Sequence, residues 1–365
     1  MISRSHSRLA QTAFDTSNLL RDRSLHAGFF GSLLARAAAK LWRPISKRVS
    51  ADHLVNAHLY GHNLVMPSEH PLVATMQHFP QYNRPLGLAA IAVADSYPAG
   101  SRLTIIDVGA NIGDTIALVE QWRPGVFSYL CIEPDANLAE LCKKNHQNNS
   151  LVEVRQNFVG ENEGAIVMLQ DDGRANPSTK LATGSDSASI VGRLVRLDTA
   201  ASSLGEPHGL VSLIKVDTEG YDFSVLRSGS QLLKLQKPAL YFEWYPALLK
   251  NIEEDPRLGF EHLRDLGYRH FVFFTNTGDY YCNITDPDIA FLRGIESVAG
   301  SPNSPPYFDV FASTTEAVSA SLVAHSLSFT PPHRNTRQNP GTPSFAPKNR
   351  KPAATSPSSG WSNPK

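Results

Sequence analysis

The apolar positions of this chain follow two alternating rhythms. Runs dominated by apolar residues over 103–108, 129–132, 211–216 and 239–244 lack the polar alternation of a half-exposed strand, so they read as strands covered on both faces. Between them, 114–122, 137–146, 223–235 and 256–266 read as helices; in 137–146 the inward face is Leu138, Leu141 and Cys142, spaced i, i+3, i+4. Pro85 suits the first turn of a helix over 85–97. Upstream, His58-Leu59-Tyr60 and Leu64-Val65-Met66 flank Gly61-His62-Asn63, a hairpin signal. A strand near 152–158 precedes an insertion, 271–284 is β-rich, and 308–312 is expected to close the sheet as an edge strand. Strands alternating with helices predict an α/β, Rossmann-like fold: a mostly parallel sheet with helices on both faces and a small N-terminal β-hairpin and helix.

The ends break this rhythm. Phe29, Leu33, Ala37 and Leu41 recur every four residues, flanked by Phe30, Leu34, Ala38 and Trp42, while Arg36, Lys40, Arg43 and Lys47 share the other face. That is a basic amphipathic helix, expected to end at Pro44. It either docks its apolar face on the body or makes peripheral contact with a membrane or partner through residues 29–48. Residues 316–365 are rich in Pro, Ser, Thr and Asn and read as a disordered basic tail. The chain therefore divides into an arm (1–50), a hairpin and helix (51–100), a central α/β domain (101–315) and the tail (316–365).

Charge sharpens that division. The 34 Lys+Arg and 34 Asp+Glu cancel, but residues 1–50 hold nine basic and two acidic side chains, and 320–365 hold six basic and none acidic. The body between them carries 19 basic against 32 acidic residues, which excludes non-specific nucleic-acid binding. No apolar run approaches the roughly 18–20 residues of a membrane span. Arg21, Asp22 and Arg23 interrupt any secretory h-region. Three cysteines (Cys131, Cys142, Cys282) without C-x-x-C spacing point to neither a disulfide framework nor zinc, and to a cytoplasmic setting with peripheral membrane contact left open. Oligomeric state is not legible.

The candidate chemistry sits at strand ends. Asp107-Val108-Gly109-Ala110-Asn111-Ile112-Gly113-Asp114 is a glycine-bearing turn that opens a helix, a geometry in which ligand and backbone approach closely. Asn111 stands where a dinucleotide fingerprint would have its second glycine, and no Gly-Lys-Ser/Thr follows. Asp107 is ill-suited to a phosphate and better suited to a cationic or amino-acid-like ligand. Glu133, at the tip of the second strand, occupies the place of a ribose-binding acid. Together they indicate S-adenosylmethionine rather than NAD.

A second motif, Ile214-Lys215-Val216-Asp217-Thr218-Glu219-Gly220-Tyr221-Asp222, lies at the carboxyl end of a central strand, with Gly220 free to turn sharply. Methyl transfer to an alcohol requires alignment of the reactants and removal of a proton, and Asp217 is the first candidate base. Glu219 is a candidate to bind substrate, to orient Lys215, or to cap the following helix. Glu243 falls at the tip of the next strand; with Asp217 and Glu219 it could accept hydrogen bonds from a polyhydroxylated substrate or hold a divalent cation, which is not favoured. Trp244 and Tyr245 are candidate sugar-stacking rings or core. His53, His58, His62, His70 and His78 read as ordinary histidines, and 183–189 as a lid or connector.

These two motifs, with Ile132-Glu133-Pro134, resemble the signatures of FkbM-type methyltransferases, class I S-adenosylmethionine-dependent enzymes that are mostly O-methyltransferases. The resemblance spans roughly residues 55–315. It implies that Asp107, Gly109, Asn111 and Gly113 surround the methionine part of the cofactor, that Glu133 holds the ribose and that Asn157 lies near the adenine. It also implies a small-molecule or glycan hydroxyl as acceptor. The rival readings are an NAD-dependent oxidoreductase and a non-catalytic binding module.

Overall fold

The continuous apolar runs become the centre of an eight-stranded sheet. The computed structural model describes residues 5–50, 53–170, 178–181, 190–299, 301 and 304–328. The chain begins with β1 (Ser5–His6), α1 (Arg8–His26) and α2 (Phe29–Ser50), then β2 (His53–Leu59), β3 (His62–Pro67), α3 (Leu72–His78) and α4 (Arg84–Asp95). The central domain follows as β4 (Leu103–Val108), α5 (Asp114–Trp122), β5 (Phe127–Ile132), α6 (Ala136–Asn145) and β6 (Val152–Arg155). A smaller insertion holds β7 (Phe158–Val159), β8 (Ile166–Gln170), β9 (Ser178–Leu181), β10 (Ile190–Val195) and α7 (Leu197–Ser202). The main pattern resumes with β11 (Leu210–Val216), α8 (Asp222–Ser228), α9 (Ser230–Gln236), β12 (Ala239–Trp244), α10 (Pro246–Asn251) and α11 (Leu258–Asp265). It ends with β13 (His270–Thr275), β14 (Tyr280–Thr285), α12 (Ile289–Val298), β15 (Phe308–Ser313) and α13 (Glu316–Ser328).

The main sheet runs β14-β13-β15-β12-β11-β4-β5-β6. The pairs from β12 through β11, β4 and β5 to β6 are parallel. β15 lies antiparallel to both β12 and β13, so the expected edge strand is an interior one. Its Phe308, Val310, Phe311 and Ala312 are fully buried, which an edge position does not require. This is a Rossmann-like arrangement, with Ile106, Ile214 and Phe242 packed towards α8 and α11 on one face and Ile105, Leu213 and Tyr241 towards α4, α5 and α13 on the other. The hairpin forms around Tyr60 and Gly61, both at positive φ (53° and 77°), and β1 pairs with β2 to make a separate three-stranded sheet.

Four departures from the sequence reading have physical causes. The helix expected over 223–235 is broken at Gly229, where a Cβ would press on Leu197 at 2.7 Å. Residues 316–328, read as disordered, form α13 instead; this stretch precedes the first proline of the tail, buries Leu322 and joins Ser319 Oγ to Ser313 Oγ at 3.0 Å. The remainder of the tail and the 183–189 segment lie outside the described residues. The third and fourth concern α2. It continues through Pro44, which sits on the exposed side where water can take the carbonyl that proline leaves unpaired. Its packed face is also not the predicted one. Ser32, Ala35, Ala39, Trp42 and Ser46 turn inward, with Trp42 Nε1 donating to Ser17 Oγ on α1 at 3.1 Å, while Leu33, Leu34, Leu41 and Ile45 are 51–76% exposed.

Candidate active site

The carboxyl ends of β4, β5, β11 and β12 meet at one edge of the sheet, where open α/β sheets collect ligands. After β4 the chain turns at Gly109 (φ 80°), and a Cβ there would overlap the Asp217 carbonyl oxygen, so the β4 and β11 loops touch backbone to backbone. Asn111 is held left-handed at φ 49°, a costly conformation that the surroundings must fix. Its N–H donates to Glu133 Oε2 at 2.8 Å, and its side-chain oxygen accepts from His70 Nε2 at 3.2 Å. His70 Nδ1 accepts from the Leu72 N–H at 3.3 Å, which assigns the ring proton to Nε2. Burial pulls His70 below its ordinary value and keeps the ring neutral.

Glu133 also accepts from the Asp135 N–H, through Oε1 at 2.9 Å. Each of its oxygens thus keeps acceptor capacity for a further hydroxyl. Burial pushes its carboxyl up to about 7 in spite of those two bonds. Gly113 (φ 81°) is a packing position: a Cβ would meet Cys142 Sγ and the His146 ring at 2.8 Å.

Lys215 organises the other half of the site. Its ammonium lies 3.1 Å from Asp107 Oδ1, 3.5 Å from Asp217 Oδ2 and 3.1 Å from the Gly109 carbonyl. Burial alone would favour the neutral amine, but Asp107, Asp217 and Asp114 outweigh it and hold Lys215 above its ordinary value. Beyond Asp217 the backbone turns through two left-handed residues, Glu219 (φ 52°) and Gly220 (φ 96°). The N-cap residue of helix α8, Tyr221, makes no side-chain capping bond. Asp222 braces this corner instead, accepting from Thr218 Oγ1 at 2.9 Å, the Thr218 N–H at 3.2 Å and the Glu243 N–H at 3.0 Å. Burial and nearby Asp217 push Asp222 up to about 7.

Glu243 on β12 pairs in register with Asp309 on β15. Burial, then the charges of Asp217, Asp222 and Asp309, raises the Glu243 carboxyl well above the usual range; the same causes, burial first, push Asp309 up to about 7. Trp244 is core: it is fully buried, meets Phe260 edge-on at 5.1 Å and donates to the Pro256 carbonyl at 2.8 Å. Tyr245 packs against Tyr307 at 5.2 Å.

These groups enclose a cavity of about 230 Å³. Of the residues expected from the sequence, Gly109, Asn111, Glu133, Asn157, Asp217, Glu219 and Glu243 line it; Asp107 and Gly113 stand behind it. His70, Tyr82, Asp114, Tyr241, Tyr307 and Asp309 line it as well and were not singled out as site residues. His70 read as an ordinary histidine because the loop that carries it meets Asn111 only through the tertiary fold. Asp309 does leave a trace in the sequence, a lone carboxylate inside the apolar run Phe308-Asp309-Val310-Phe311, where burying an acid is costly. No group of three or more His, Cys, Asp or Glu placed to hold a metal ion occurs among the described residues.

Residues 107–270 match the model of the methyltransferase FkbM domain. Over that stretch the chain is similar to an FkbM methyltransferase domain. That assignment supports S-adenosylmethionine-dependent methyl transfer and lends nothing to the oxidoreductase or non-catalytic readings. Among solved structures, a methyltransferase FkbM from Methylobacillus flagellatus KT aligns at 17% identity over 58% of this chain and 54% of its own, TM-score 0.36. The chain thus spans about half of that protein. An O-methyltransferase from Bacillus cereus in complex with SAH aligns at 12% identity over 66% and 91%, TM-score 0.35. A human methyltransferase 10 domain containing protein aligns at 13% over 70% and 90%, TM-score 0.37. No curated protein matches the sequence. Among the described residues, no helix is long and apolar enough to cross a membrane.

Proposed function

We propose that this FkbM domain methylates a hydroxyl of a sugar, glycan or other polyhydroxylated metabolite. The observation that carries the reading is Asp217: its side chain is 51% exposed, lines the cavity and is held by a buried ammonium 3.5 Å away. A carboxylate so fixed can accept the proton of an alcohol as its oxygen forms the new bond. S-adenosylmethionine, when bound, supplies an electrophilic methyl group on a cationic sulfonium. The residues present fit it: Gly109 brings backbone against backbone, Glu133 has acceptor capacity left for a ribose diol, and the surrounding carboxylates suit a cation. Asp107 acts from behind by holding Lys215, and Asn157 lines the cavity where adenine is proposed. Glu219 and Glu243 complete the acceptor side, where burial and the charges of Asp217, Asp222 and Asp309 favour the neutral form of the Glu243 carboxyl. A divalent cation is not part of this proposal.

The test is transfer of labelled methyl from S-adenosylmethionine into fractionated glycan, lipid and small-molecule pools. Label should enter base-stable ether linkages on hydroxyls. Asp217→Asn should lower turnover about 10²- to 10⁴-fold with cofactor affinity nearly intact. Unchanged turnover would remove the base assignment, and label in nitrogen or carbon positions would remove the O-methyl reading.

The outward stripe on α2 favours a second reading, peripheral membrane contact through residues 29–48. Leu33, Leu34, Leu41 and Ile45 face solvent beside Arg36 and Lys40, the composition of a helix that lies on an anionic surface. Flotation with phosphatidylglycerol vesicles should capture the protein and fail for Leu34→Glu/Leu41→Glu; equal capture of both would refute it.

A further inference from the structure

The cavity at the sheet edge holds about 230 Å³. Ligand sites typically measure roughly 300–1,000 Å³, so the space adjoining this one bears on where an acceptor would sit. A second cavity of about 720 Å³ opens between α1, α2 and the 68–74 segment, and His70 and Pro71 line both spaces.

The two spaces have opposite charge. The first is lined by acids, among them Asp114, Glu133, Asp217, Glu243 and Asp309, with one lysine. The second is lined by Arg21 and Arg43 with Glu69 as its acid. Arg21 Nη1 donates to Asn18 Oδ1 at 2.9 Å and Gln77 Oε1 at 3.1 Å, neutral partners that fix the guanidinium without neutralising it. Burial pulls its pKa below the ordinary value, as expected for a cation with no carboxylate beside it. Arg43 makes neither hydrogen bond nor ion pair among the described residues. Trp42 and the hydroxyls of Ser17, Ser24 and Ser46 complete a wall with a ring and polar groups for a sugar.

We propose that this second cavity is the anion subsite of the acceptor, binding the phosphoester of a phosphorylated saccharide through Arg21 and Arg43. The charge contrast then orients the acceptor. Its phosphate is drawn to the arginines and excluded from the acidic cavity, so a neutral hydroxyl is the end presented past His70 and Pro71 to Asp217. The word acceptor rests on the methyltransferase reading; the phosphate site itself does not. These residues precede the 107–270 match, so substrate selection would be added by the N-terminal arm rather than by the FkbM domain.

Calorimetry on the full chain tests it with glucose 1-phosphate, with glucose at matched ionic strength, and with phosphatidylglycerol vesicles, while S-adenosylmethionine is titrated separately. The expected result is saturable binding of a phosphate probe, none of glucose, and about a tenfold or greater loss in Arg43→Gln and in Arg21→Gln, as for a charge-assisted hydrogen bond. Arg43 makes no hydrogen bond or ion pair among the described residues, so its variant also guards against a folding artefact at Arg21. Binding of the soluble ester assigns a free sugar phosphate; binding of vesicles alone, lost in both variants, assigns a lipid-borne phosphate. Binding of neither, or binding indifferent to both arginines, overturns the proposal. If S-adenosylmethionine still binds in that case, the methyltransferase reading stands; if it alone fails, only that reading falls.

Discussion

The sheet edge and the N-terminal helical arm handle charge in opposite ways. At the edge, Asp107, Lys215, Asp217 and Asp222 are held by one another, by Thr218 or by backbone through bonds of 2.9–3.5 Å, two of them made to glycine or strand-tip backbone. On α2, Arg36 and Lys40 stand in solvent beside exposed leucines, and the interface with α1 is built from small residues and hydroxyls such as Ala35, Ala39, Ser17 and Ser46. Charge buried in a network fixes geometry, because a buried ion left alone is expensive. Charge left at the surface fixes little inside the protein and remains available to something outside it.

That contrast can be broken at its strongest point first. Lys215→Met leaves Asp107 buried without its cation, and should cost about 3–5 kcal/mol in denaturant unfolding, besides abolishing activity. A loss below about 1 kcal/mol would mean that the pair is dispensable. The pH dependence comes next. Asp114, Glu133, Asp222 and Asp309 have folded values raised to about 6, 7, 7 and 7, first by burial, above ordinary values of 3.8, 4.5, 3.8 and 3.8. Between those limits the folded state binds more protons than the unfolded one, so stability is greatest at the acid end of that window and falls as pH rises through it. Thermal unfolding of the ligand-free protein should therefore show a melting temperature that declines between pH 5 and 8, with a shallower slope in Glu133→Gln; a rising profile would contradict the burial argument. The smallest effect belongs to the arm. Leu41→Glu, at a side chain 76% exposed, should change stability by less than about 0.5 kcal/mol even where it weakens vesicle capture.

The same contrast explains what could be read from the sequence. β4, β11 and β12 announce themselves because strands buried on both faces need apolar residues throughout, and the Asp107–Asp114 and Lys215–Gly220 turns announce the edge because glycines and acids at strand ends have few other uses. The interior place of β15 was hidden, since an apolar run carries no record of which strands flank it. The packed face of α2 was misread because periodicity identifies the greasiest stripe, whereas α1 selects the stripe small enough for close approach at Ala35 and Ala39. Tyr82, Tyr241 and Tyr307 reach the cavity from segments far apart in the chain, and no local spacing could have gathered them.

The central claim is that the β4 and β5 tips form an S-adenosylmethionine site through Asn111 and Glu133. Calorimetric titration of S-adenosylmethionine and of NAD into the protein and its Glu133→Gln variant tests it most directly. S-adenosylmethionine should bind one per chain, NAD should not, and the variant should lose about tenfold or more in affinity, the scale of one charge-assisted hydrogen bond. Binding of NAD alone, or S-adenosylmethionine binding indifferent to Glu133, would contradict the account.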